Sequence, residues 1–179
     1  FTATGVATVT GVKEITSITG PMIVSSNNPI DPLVTDVSMA ADLVTNLDMY
    51  ESRVIRMTGS LTANFINAGN PQVATPIMTT GLTDPNLRVR MPEAIRATYD
   101  LKGGCTVTMD YGVMWRFLSG MTPVAQPSVY RASDLKDMTC AAPTVVSAVP
   151  LSQTEVVVNF DRLMDQIGRA SCRERVSSP

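Results

Sequence analysis

The sequence predicts an all-β protein, and three observations carry that expectation. Short runs alternate apolar and polar residues with period two, the repeat of a half-buried strand. The polar complement is mostly Thr, Ser and Asn: charged residues make up only 17% of the chain against 44% hydrophobic, which suits pleated, turn-rich structure. Between the runs stand 11 Gly and 12 Pro, the residues that reversals of direction require. The 179 residues suffice for one ordinary domain or two small ones.

The elements follow in chain order. Phe1 to Val12 alternates small and β-favouring residues, with Gly5 and Gly11 as candidate bulges or turns. Lys13 to Ser25 continues in the same style, which predicts two strands around Gly20-Pro21, then a loop through Asn27-Asn28-Pro29 and Asp31-Pro32. Val37 to Met49 predicts the one short helix, because Met39, Leu43, Val44 and Leu47 recur at helical spacing and Asp36 or Ser38 can cap it. From Ser52 the period returns to two, with Ile55, Met57, Gly59 and Leu61 on one face and Val54, Arg56, Thr58 and Ser60 on the other. Asn67 to Pro76 reads as a Gly/Asn/Pro loop.

Next comes a half-buried strand in which Leu87, Val89 and Met91 alternate with Arg88 and Arg90. Gly103-Gly104 turns into Cys105, Val107 and Met109, alternating with Thr106, Thr108 and Asp110. Tyr111-Gly112 then predicts a hairpin into Val113 to Leu118, and Val124 to Arg131 a last strand of the unit. Beyond Cys140 a new unit begins, with β runs at Pro143 to Val149 and Glu155 to Phe160. Two strands alone cannot enclose a core, so this unit is expected to be incomplete.

The sequence also excludes chemistry. It has no histidine, which removes Ser-His-Asp and Cys-His nucleophile systems, the usual general base and His-containing zinc sites. No apolar run reaches the ~18 residues that span a bilayer. No Asp-rich calcium loop and no GxSxG context occurs, and no pair of carboxylates stands out for glycoside hydrolysis. Neither an enzymatic activity nor a cofactor is therefore expected. The formal charge of −2 gives no strong attraction to nucleic acid or anionic membrane.

Gln166 to Val176, QIGRASCRERV, is similar to a translated sequencing adapter, and residues 166–179 are set aside on that ground. The remainder carries 11 bases and 15 acids, a balance of −4, and retains two cysteines, Cys105 and Cys140.

Two family resemblances follow. Ala142 to Asp165, APTVVSAVPLSQTEVVVNFDRLMD, resembles the opening of bacterial Ig-like domains of the surface-layer type, with Phe160 and Met164-Asp165 at the matching places. Asp36 to Cys140 resembles the oligonucleotide/oligosaccharide-binding (OB) β-barrel modules of secreted bacterial, nuclease-associated proteins. It does so through Asp48 to Gly59 (DMYESRVIRMTG), Gly103 to Gly112 (GGCTVTMDYG) and Ser128 to Leu135 (SVYRASDL). The resemblance implies an OB-like barrel with one short helix over 31–140 and the first strands of an Ig-like sandwich over 141–165. Residues 1–30 are then closing strands of a preceding barrel half or repeat.

It also implies an extracellular or cell-surface location in a multidomain protein. The expected role is a non-catalytic structural or binding module, with neighbouring domains of the same chain as partners. The alternative is an accessory barrel that holds nucleic acid or polysaccharide for a hydrolase domain elsewhere. In an exported protein the even pair Cys105 and Cys140 favours a disulfide over two unrelated buried thiols. Arg56, Arg88, Arg90 and Trp115 are the candidate ligand-binding residues, as a stacking and cation surface on the barrel. At −4, solvated charge with the aromatics packed in the core is the competing account.

Overall fold

A computed structural model of the chain describes residues 2–9, 12–22 and 25–162. The chain divides into two compact units, Phe1–Thr139 and Cys140–Pro179. All-β architecture dominates both.

The first unit opens with β1 (Thr2–Val9) and β2 (Val12–Thr19), an antiparallel pair whose register shifts at Gly5. Val9 pairs Val12, so the chain reverses between those residues and not around Gly20-Pro21. A single 3₁₀ turn, Asp31–Leu33, leads to β3 (Thr35–Asp36), which lies parallel to β4 (Val54–Leu61).

Between β3 and β4 the expected helix over Val37 to Met49 is replaced by turns and a 3₁₀ segment at Leu47–Met49. Its first residues are tied to β4: Val37 N donates to Arg56 O and Thr58 N to Ser38 Oγ. The Asp36 carboxylate accepts Ser38 N at 2.9 Å, the bond of a helix N-cap, but turns follow in place of a helical ladder, among them Ala40 N on Val37 O and Asn46 N on Asp42 O. Val37, Leu43 and Leu47 are buried all the same, while Met39 is exposed. The α-helix of this fold lies elsewhere. It is α1 (Glu93–Thr98), whose buried residue is Ile95.

The remaining strands are β5 (Ile66–Asn67), β6 (Gln72–Met78), β7 (Arg88–Pro92), β8 (Thr106–Ser119), β9 (Thr122–Ser128) and β10 (Leu135–Thr139). Four of them close a five-strand ring with β4. β4 pairs β6, β6 pairs β7, β8 pairs β9 and β4 pairs β8, all antiparallel, while β7 pairs β9 in parallel. Helix α1 sits between the third and fourth strands of that ring, and β10 extends it along β8. Ile55, Met57, Leu61, Val89, Met91, Val107 and Met109 are all buried, which is what their period-two spacing predicts. Four methionines (Met57, Met91, Met109 and Met114) sit in this interior, where a flexible thioether fills irregular space.

Further strand assignments differ from the sequence reading, β10 among them, since Val124 to Arg131 was expected to be the last strand. Gln72 to Pro76 is not loop but most of β6, with Ala74 and Thr75 buried. Pro76 is tolerated there although it brings no N–H to the ladder. Tyr111-Gly112 is not a hairpin: β8 runs unbroken for 14 residues through it. The register against β4 steps from Ile55↔Gly112 to Met57↔Met109, so β8 carries one extra residue there, a bulge. The bulge inverts the alternation. Val107 and Met109 point inward before it, Gly112 and Met114 after it.

Cys105 and Cys140 are disulfide-bonded. Register makes this natural, since Thr139 pairs Thr106 and brings the following cysteine to the head of β8. In the second unit, β11 (Val145–Pro150) and β12 (Val156–Phe160) form an antiparallel hairpin, closed by Thr144 N donating to Asp161. Residues 166–179 lie outside the described residues. No described helix is long and apolar enough to cross a membrane.

Candidate functional site

The bulge in β8 decides which residues the barrel shows to solvent. Beyond it, Tyr111, Val113, Trp115 and Phe117 share the outer face of the strand, opposite the buried Gly112 and Met114. On β7 the outward pair is Arg88 and Arg90, between the buried Leu87, Val89 and Met91.

These strands line a cleft of about 370 Å³. Arg88, Ala74 and Gln126 contribute from β7, β6 and β9, and Trp115 and Phe117 from β8. The chain from Ile66 to Gly69 forms its other wall. That segment is held by a short β5–β6 ladder and by Gly69 N donating to Asn67 Oδ1 at 2.7 Å. Gly69 has φ of +95°, a backbone conformation that glycine adopts without penalty.

Against the Trp115 ring packs the Arg90 guanidinium, 4.3 Å from the ring centroid, within the range of a cation–π contact. Its Nη2 reaches the Ala68 carbonyl at 3.4 Å, and its Nε is buried without a partner. Arg88 is anchored by Nε donating to Pro85 O at 2.8 Å. Trp115 and Phe117 stand with ring centroids 6.4 Å apart at 40°. Gln126, directly opposite Trp115 in the ladder, is 5% exposed, and its Oε1 is buried with no hydrogen-bond partner. An unsatisfied amide oxygen in a buried place costs ~1–3 kcal/mol, a cost that a donor entering the cleft relieves.

Of the four candidate residues, Arg88 and Trp115 line one cleft, and Arg90 is stacked on the Trp115 ring. Arg56 does not join them. It lies on β4, where its Nε donates to Asp110 Oδ1 at 2.7 Å, and Lys136 from β10 holds the other oxygen of the same carboxylate. Hydrogen bonds from Lys136 and Arg56 hold the Asp110 carboxyl below the usual carboxylate range. Arg56 is thus engaged by a buried carboxylate and does not line the Trp115 cleft.

Phe117, Gln126 and Asn67 belong to the cleft although the sequence reading did not single them out. Phe117 is signalled by sharing Trp115's parity two residues on. Nothing local marks Gln126 or Asn67, whose place depends on which strands become neighbours. No protein-family model matches the chain, and no curated protein is significantly similar to it.

Proposed function

We propose that this chain is a non-catalytic binding module of a secreted or surface-attached multidomain protein, and that the Trp115 cleft is its ligand site. One observation carries the proposal. A flat aromatic ring backed by one arginine, a second arginine and an unsatisfied buried amide oxygen come together around a single concave place, the usual composition of a site that orients one face of a ligand.

The OB-type assignment is part of the same reading. It draws support from the closed five-strand ring, from the helix between the third and fourth strands, and from a cleft on the ring's outer face. The Ig-like assignment of Cys140 onward draws support only from its β hairpin. Export is favoured by the disulfide, since such bonds persist in oxidising compartments.

The test is affinity electrophoresis of the full chain through gels carrying soluble polysaccharides, with single-stranded DNA assayed in parallel at low and high salt. Trp115→Ala should abolish retardation while leaving the β-type circular dichroism intact. Retardation unchanged by Trp115→Ala rules the cleft out. A second reading, single-stranded nucleic acid as ligand, rests on Arg88 and Arg90. It requires affinity that falls steeply with salt, because phosphate contacts release counterions.

A further inference from the structure

A second cleft, of about 580 Å³, lies on the same barrel. Tyr111 and Val113 enter it from β8, Ser128 and Tyr130 from β9 and its continuation, and Arg131 and Asp134 from the turn that follows. Its relation to the first cleft is fixed by register. Trp115↔Gln126 lies in the first and Val113↔Ser128 in the second. These are successive same-face rungs of one antiparallel ladder with no shift between them, and a two-residue step along a strand is roughly 6.8 Å. Arg90 links the two places, because its backbone pairs with Ser128 while its side chain lies over Trp115.

We propose that the two clefts are consecutive subsites of one track along the outer face of β8 and β9, and that the track holds a linear, uncharged glycan. This rests on the binding reading above and specifies its ligand. A single small ligand fills one cleft and leaves the other idle. A chain-like ligand uses both, and the outward row Tyr111, Val113, Trp115, Phe117 supplies apolar and aromatic contact along its length.

Charge selects the class of chain. Arg88 and Arg131 line the track, but so does Asp134, and the Tyr111 hydroxyl is held by the Asp31 carboxylate. A polyphosphate passing those carboxylates is repelled, and the chain as a whole is acidic. Hydroxyl groups donate and accept in turn, so they can satisfy guanidinium, carboxylate and amide alike. The unpartnered Gln126 Oε1 needs a donor, and a sugar hydroxyl is one.

The experiment is calorimetric titration of the full chain with linear glucan and chitin oligomers of increasing length. Affinity should rise with length until both clefts are covered. Tyr130→Ala, at a side chain 55% exposed, should weaken the long oligomer about tenfold and leave the short one unchanged. Trp115→Ala should weaken both. Arg131→Ala serves as a second variant should Tyr130→Ala fold poorly. Long and short oligomers equally insensitive to changes at Tyr130 and Arg131 overturn the track while leaving the Trp115 site standing. Binding of single-stranded DNA in preference to every glycan overturns the ligand class. Failure of all glycans and DNA to bind removes the binding reading itself, and the track with it.

Discussion

Asp110 is the one carboxylate among the buried side chains of the described residues, at 7% exposure, and two cations reach it. Its folded pKa is depressed, so its contribution to stability is fully present above the ordinary carboxylate value, about pH 4. That contribution is lost as pH falls through the lower, folded value. Denaturation midpoints measured across the acid range should drop more gently for Asp110→Asn than for the parent chain. At neutral pH the variant should already be the less stable, because Arg56 and Lys136 lose their shared partner. An identical acid limb in both proteins refutes this role for Asp110. Asp36, Asp42 and Glu93 are also held low, by Ser38, Tyr50 and Arg96 respectively, so part of the acid slope survives the substitution.

Elements in this barrel depend on where strands bend. β4 pairs β8 along most of its length, Ser60 included, and also takes up β6 at Ser60 and Leu61. Gly59 stands where β6 joins, and a Cβ placed there would lie 2.6 Å from the Met78 carbonyl oxygen. Only a residue without a side chain lets the two backbones approach. Gly59→Val should therefore cost about 1–3 kcal/mol of stability, read as a lowered urea midpoint at unchanged slope; a neutral result means that the corner is looser than described. The bulge in β8 has a different consequence. Without its extra residue the strict alternation of the sequence would carry Trp115 to the face of Met109, inside the barrel. The device that re-aims Trp115 outward is thus one inserted residue, and the candidate site follows from it.

At the scale of the whole molecule the disulfide adds a covalent constraint to the strand pairing. Cys105 and Cys140 close a loop of about 36 residues, which stabilises by roughly 3–4 kcal/mol in the chain-entropy account. Replacing both cysteines by serine should lower the melting temperature and abolish the difference between reduced and oxidised samples. A melting temperature indifferent to reductant argues against the bond. Both clefts lie within Phe1–Thr139. A fragment of residues 1–140 should therefore keep the ligand affinity of the full chain, and its loss in that fragment would assign part of the site to the second unit.

Much of this architecture was legible without coordinates. Period-two spacing identified the inner faces of β4 and β7, because burying one face of a pleated strand demands that repeat and little else produces it. The same local logic put Arg88 and Arg90 on one side of their strand, while the cysteine pair was expected from its even number in an exported protein. Local pattern failed where a neighbour decided the outcome. Val37 to Met49 has helical spacing, but its first residues are bonded to β4 and turns replace the helix; the α-helix among the described residues, α1, spans only six residues, too few for a period to show. Tyr111-Gly112 carries turn chemistry, yet pairing with β4 and β9 on either side of it keeps β8 extended.

The candidate site divides in the same way. Arg90 and Trp115 were recognisable as residue types suited to a ligand, 25 positions apart and with nothing in the chain to join them. Arg56 looked equivalent and went instead to a carboxylate. By itself the sequence determined the strand class, the buried faces and the chemistry on offer, because each depends on residues close together in the chain. Only the tertiary structure decided which outward side chains share a cleft, because strand order and one bulge are set by contacts between segments far apart.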